Sequence, residues 1–211
     1  MRKIVLFVWL LIPIAVGAYH YGPGQDRLRA DRAEAAVERA ASAAREARET
    51  SAKDGDDAAR GYWAEAEAAY AEAIELLPPG KTGEARALRL ERAKAQMFVS
   101  QLPEACHDLA ALVDEISSDP APDAKLLDEA RAALANAQYY TTWLMRLEGA
   151  PRDEWEPQIE ASRQNYKLIA EKADHAGDSK LAAATREDLE SAVRLARMDL
   201  KDLQGLPLPS Q

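Results

Sequence analysis

Between Trp63 and Pro78 the chain reads WAEAEAAYAEAIELLP, and the order of residue sizes in this stretch restricts the fold more than any other feature. Ala66, Tyr70 and Ala73 recur at spacings of four and three, so on a helix they share one face, and Ile74 and Leu77 continue the stripe. Pro78 and Pro79 stop it, because proline lacks the backbone N–H and its ring clashes with the preceding turn. Small side chains at Ala66 and Ala73 let a second helix approach closely, and Tyr70 fills the groove between them. Such a helix buries too little by itself and has to be paired.

The same pattern extends along the chain. Of 211 residues, 47% are hydrophobic but only 6% aromatic, with 30% charged, which fits helices that meet along thin alanine seams and expose charged faces. The fold class is therefore all-α, and the length suffices for one sizeable core plus an appendage. The net charge of −9 includes Arg2 and Lys3, the only charges before Asp26, so the remainder is more acidic still. Such a surface repels phosphate backbones, and no nucleic acid is expected as a partner. The single Cys106 can form neither an intramolecular disulfide nor a thiolate zinc cluster.

Residues 1–21 form a targeting segment. Arg2 and Lys3 precede an uncharged run from Ile4 to Ala18, IVLFVWLLIPIAVGA, which inserts with its N-terminus held in the cytoplasm, so that the rest of the chain is exported. Two outcomes remain open. Val16-Gly17-Ala18 suits cleavage after Ala18, whereas Tyr19-His20-Tyr21 extends residues 4–21 toward the length of an uncleaved membrane anchor. The first places the protein outside the membrane as a secreted chain; the second tethers it in the membrane with the soluble part exported to the periplasmic or extracytoplasmic side.

Gly22-Pro23-Gly24 reads as a break. A charged helix is expected from about Asp26 to Ala52 within residues 22–53, with Ala33, Val37, Ala40, Ala44 and Ala47 as a narrow coiled-coil-like seam. Asp56 or Asp57 would cap the next helix, which runs to Leu77. A third helix is expected from about Glu84 through Gln101, with Leu90, Ala93 and Met97 inward and Arg89, Arg92 and Gln96 outward. Pro103 would open a fourth, Asp123 to Leu147 makes a fifth, and a sixth comes after Trp155-Glu156-Pro157 and reaches Ala173. A seventh, from Ser179 to about Leu203, would turn Leu189, Val193, Ala196 and Leu200 inward. Residues 54–204 are thus one array of helix pairs, and 205–211, with Leu206-Pro207-Leu208-Pro209, a tail without a helix.

The order small, aromatic, small, proline at Ala66, Tyr70, Ala73 and Pro78 resembles the second half of a tetratricopeptide repeat. Ala105 is the counterpart of Ala66, and Leu109 and Leu112 stand where Tyr70 and Ala73 would. The first half of the signature, W-x2-L-G-x2-Y, is missing before either helix, and the period of thirty-nine exceeds the family's thirty-four, so the likeness covers residues 56–120. It implies antiparallel helix pairs stacked as a short solenoid and a protein-binding scaffold, with Ala66, Tyr70, Ala73, Pro78, Ala105 and Leu109 as packing positions.

On the fifth helix Asn136, Tyr140 and Trp143 fall at i, i+4 and i+7, within a region that also holds Gln138, Tyr139 and Arg146. This stripe can hold a peptide on the concave side of a helical repeat, or its rings can be core residues with Asn136 satisfying a backbone group. Consecutive Cys106-His107-Asp108 point about 100° apart on a helix and cannot converge. Glu171 and His175 supply two ligands without a third, and PPGKTG lacks the spacing of a phosphate-binding loop. No catalytic motif, metal site or cofactor is indicated. The expected function is a membrane-tethered, exported scaffold that binds protein partners or supports assembly at the cell envelope; the alternative is a self-associating structural envelope protein, a homo-oligomer built on the alanine-rich helix.

Overall fold

The computed structural model describes residues 23–205, so the segment 1–21, expected to be a targeting segment, and the expected tail beyond Gly205 lie outside the described residues. Among the described residues there are seven α-helices and no strand: α1 Pro23–Asp54, α2 Asp56–Leu76, α3 Thr82–Gln96, α4 Leu102–Ser117, α5 Ala124–Leu147, α6 Arg152–Ala176 and α7 Ser179–Arg197. A 3₁₀ turn, Leu200–Gly205, comes last. Neighbouring helices pack on one another in two compact units, one through Leu88 and one from Arg89.

The first unit is a hairpin of α1 on α2. Only Gly55, at φ 91°, separates them, a conformation that costs a Cβ-bearing residue strain and glycine nothing. The pairing is antiparallel: Arg39 bonds Glu72 at 2.9 Å and the Arg48 guanidinium lies 6.0 Å from the Trp63 ring centre. Ala66, Tyr70 and Ala73 are all buried on α2, with Ala59, Trp63 and Ala69. Facing them, α1 buries Ala33, Ala36, Ala40, Ala43, Ala44 and Ala47. Ala36, fully buried, takes the place expected for Val37, which is half-buried at the edge. Small side chains on both helices favour close approach, and the branched Val37 lies at the edge.

Helix α1 starts at Pro23, in place of a break there, because proline is tolerated at the first helical position where no N–H is needed. The expected carboxylate cap of α2 is absent: no side chain caps it, and Asp56 Oδ1 instead accepts from the Ser51 hydroxyl. Helix α2 ends at Leu76, with Leu77 extended ahead of Pro78 and its N–H still on the Ala73 carbonyl at 3.1 Å.

In the second unit Leu90 and Ala93 of α3 join Leu109, Leu112, Val113 and Ile116 of α4 and Leu127, Ala130, Ala133, Leu134 and Ala137 of α5 in one buried cluster. Ala105 and Leu109 are fully buried. Helix α3 ends at Gln96, five residues earlier than expected, because the backbone turns through Ser100 at φ 63°. The Gln96 carbonyl accepts from both Val99 and Gln101, which closes this turn, and the Gln96 side chain is buried, only 2% exposed, where an outward position was expected. Asp123 caps α5 by accepting from the amides of Lys125 and Leu126.

A second cluster joins α5, α6 and α7: Ala135, Tyr139, Trp155, Ile159, Tyr166, Ala192 and Leu195, closed by Leu203 from the 3₁₀ turn. Helix α6 begins at Arg152, before Trp155, and carries Pro157 inside; so near the helix start the missing N–H removes one bond without breaking the rod. Gly177 in the left-handed region ends it. Helix α7 turns Ala182, Thr185, Ala192 and Leu195 inward; the expected stripe of Leu189, Val193 and Ala196 is half-buried beside it, and Leu200 lies past the helix end at Arg197. Ala192 inside and Val193 at the edge repeat the choice made by Ala36 and Val37 in the α1 seam.

Candidate functional site: the polar joint of α5, α6 and α7

Three polar residues of α6 at i, i+3 and i+4 point at α5. The Ser162 hydroxyl donates to the Ala135 carbonyl at 2.8 Å, Asn165 Nδ2 donates to Gln138 Oε1 at 3.2 Å, and the Tyr166 hydroxyl donates to Asn136 Oδ1. Because antiparallel helices meet along one stripe, these bonds fix the register of α6 on α5. A slip would strand several buried polar groups, each costing roughly 1–3 kcal/mol. On α5 itself the Thr142 hydroxyl turns back to the Gln138 carbonyl at 2.8 Å.

Asn136, Tyr140 and Trp143 are all half-buried. The Asn136 amide is engaged with Tyr166. Tyr140 packs against both buried clusters of the second unit, and its ring meets that of Tyr139 edge-on, 5.7 Å between centres at 90°. Trp143 packs against the α5–α6–α7 cluster. Both rings are thus packed against the core while staying partly exposed.

Electrostatics keep the phenols neutral. Burial first, and then the Asp188 carboxylate with Tyr140 and Tyr139, push the Tyr166 hydroxyl far above the usual tyrosine range. Burial likewise raises Tyr139, with Tyr140 and Asp188 adding and Arg194 opposing. Both shifts favour the neutral phenol, and that of Tyr166 keeps the donor to Asn136.

Arg146, near the end of α5, closes the joint. Its guanidinium donates to the carbonyls of Leu195 and Met198 at the end of α7 and lies 4.7 Å from the Trp155 ring centre on α6. One side chain thus supplies donors to the last carbonyls of α7, complements its dipole and stacks on an aromatic face. Burial lowers the guanidinium's proton affinity while Asp199 restores part of it. The sequence placed Arg146 among the polar residues of α5, but its partners lie about fifty positions further on and carry no local mark. Ser162, Asn165 and Tyr166 were missed; the available signal was three polar residues at helical spacing on a face otherwise occupied by Trp155, Ile159 and Ile169.

Other candidates do not gather. Cys106 on α4 is half-buried beside Thr141, and burial raises its thiol, with the Thr141 hydroxyl opposing. Among the described residues no three His, Cys, Asp or Glu side chains come together to hold a metal. Asp174 near Glu171 and His175 is paired with Arg186. Three open depressions, on α7 around Arg194 and Asp199, on α1 around Arg39 and Ser42, and between α6 and α7 around Lys167 and Arg186, are lined without Asn136, Tyr140 or Trp143. No helix among the described residues is long and apolar enough to cross a membrane.

No known protein family, curated protein or solved structure matches this chain.

Proposed function

We propose that the chain is a membrane-tethered, exported scaffold of tetratricopeptide-like helix pairs that binds protein partners or supports assembly at the cell envelope. The observation that supports this reading is the full burial of Ala66 and Ala105, the small residues at which the tetratricopeptide likeness expects helices to meet. The apolar run of residues 4–21 supplies the tether or export signal. The partly exposed Tyr140 and Trp143 on α5 are the surface a peptide would meet, by ring contact, since the Asn136 side-chain oxygen is engaged within the fold. The acidic surface favours a neutral or basic protein partner over nucleic acid.

Self-association through the alanine seam is less well supported, because α2 already covers that seam in the same chain. The decisive experiment is crosslinking of the full chain in its native membranes and mass spectrometry of the products, alongside fractionation. Recovery of a specific protein partner from the membrane fraction is the expected result. A chain found free in the cytoplasm, or crosslinked only to itself, would remove the proposal.

A further inference from the structure

The seven-residue segment from Asp199 to Gly205 stands apart from the helices that precede it. The chain leaves α7 through Met198 in an extended conformation, at φ −69° and ψ 151°. Arg146 grips the carbonyls of Leu195 and Met198, so its clamp ends where the segment begins. Beyond that point the chain winds into the 3₁₀ turn Leu200–Gly205, which the Asp202 N–H opens by bonding the Asp199 carbonyl at 3.0 Å. Asp199, Lys201 and Asp202 are exposed, whereas Leu203 is 1% exposed and belongs to the buried cluster with Tyr139, Trp155, Ala192 and Leu195. One side chain thus fills a slot between three helices, on a segment whose other described side chains face water and which begins just past the clamp.

We propose that this turn is an exchangeable plug: the slot that takes Leu203 also accepts the same turn from a second copy of the chain. The slot is complementary to that segment by construction, since the resident turn already occupies it. Exchanging an identical element between copies requires no new interface and leaves α7 and the Arg146 clamp in place. The tether sets up a competition: a resident turn joined by a short hinge acts at an effective concentration on the order of millimolar, so a turn in trans enters only when the resident one is absent or local concentration is comparable. The idea does not depend on the scaffold reading.

The test uses the full-length chain in detergent and a fluorescent peptide spanning residues 198–205, MDLKDLQG, with binding read by anisotropy. Wild-type chain is expected to bind weakly. Leu203→Ala, which vacates the slot, is expected to bind at least about tenfold more tightly, as loss of the tethered competitor requires, and a peptide carrying the same Leu203→Ala change should bind neither. Failure of the folded variant to take up the peptide, or equal binding by wild type and variant, would overturn the proposal. Should Leu203→Ala lose its helical signal, hydrogen exchange on the wild-type chain decides: peptide in the millimolar range should speed exchange of the resident 199–205 amides, and unchanged rates would sink the idea.

Discussion

The Tyr166 hydroxyl on α6 donates to the side-chain carbonyl of Asn136 on α5, joining residues thirty positions apart at the centre of the second unit. The bond decides what α5 can offer a partner, because it commits the amide of the Asn136, Tyr140, Trp143 stripe to the interior. It also makes the packing of these two helices sensitive to single atoms.

Removing the Tyr166 hydroxyl with Tyr166→Phe leaves Asn136 Oδ1 without its donor and should cost about 1–3 kcal/mol in urea unfolding. Because the two groups contact each other, a double-mutant cycle with Asn136→Leu should show coupling of about 0.5–3 kcal/mol. Additive effects would mean the bond does not exist in solution.

The same hydroxyl imposes a pH dependence. Its folded-state pKa is raised above the unfolded value near 10 by burial and then by Asp188, Tyr140 and Tyr139, so the folded state favours the neutral phenol. That stability is fully present below about pH 10 and is lost as pH rises beyond it. Chain stability measured between about pH 8 and 11 should fall at the alkaline end, and Tyr166→Phe should flatten the decline.

Arg146→Ala should destabilise the second unit by about 2–4 kcal/mol, since it deprives two carbonyls of donors and Trp155 of its stacked cation. Arg146→Lys should rescue little, because one ammonium cannot serve both carbonyls and lie flat on the ring. Hydrogen exchange should report the loss first in the last turn of α7.

Register in the α1–α2 hairpin is tested by two neighbouring changes. Ala36→Leu places a branched side chain where the helices meet and should cost about 1–3 kcal/mol or more, while Val37→Ala at the half-buried edge should cost less than about 1.5 kcal/mol. If thermal melts show the reverse order, the seam runs through Val37.

The helices themselves were legible because their signals are local. Periodic alanines, Pro78 and Pro79, Gly55 and Gly177 mark elements and their ends through backbone sterics that act within a few residues. The faces were harder to read: a stripe expected at Val37 is fulfilled by Ala36, and one expected at Leu189, Val193 and Ala196 by Ala192 and Leu195. At Ala36 against Val37 and at Ala192 against Val193 hydrophobic size favours one residue and close helix approach favours its smaller neighbour, and pattern alone does not reveal the distance between helices. The polar joint was less legible still, because Asn136, Tyr166, Arg146 and the carbonyl of Met198 are far apart along the chain.

By itself, then, the sequence determined that the chain is helical, roughly where each helix starts and stops, and which residues are small enough to sit between two of them, because sterics and hydrogen bonding within a turn need nothing from elsewhere. Only the tertiary structure decided which of two adjacent residues faces the seam, that the Asn136 amide turns inward to Tyr166, and that Leu203 plugs the end of the core. Those outcomes depend on how closely helices approach and on which distant group satisfies a buried polar atom, and both are settled only when the helices pack.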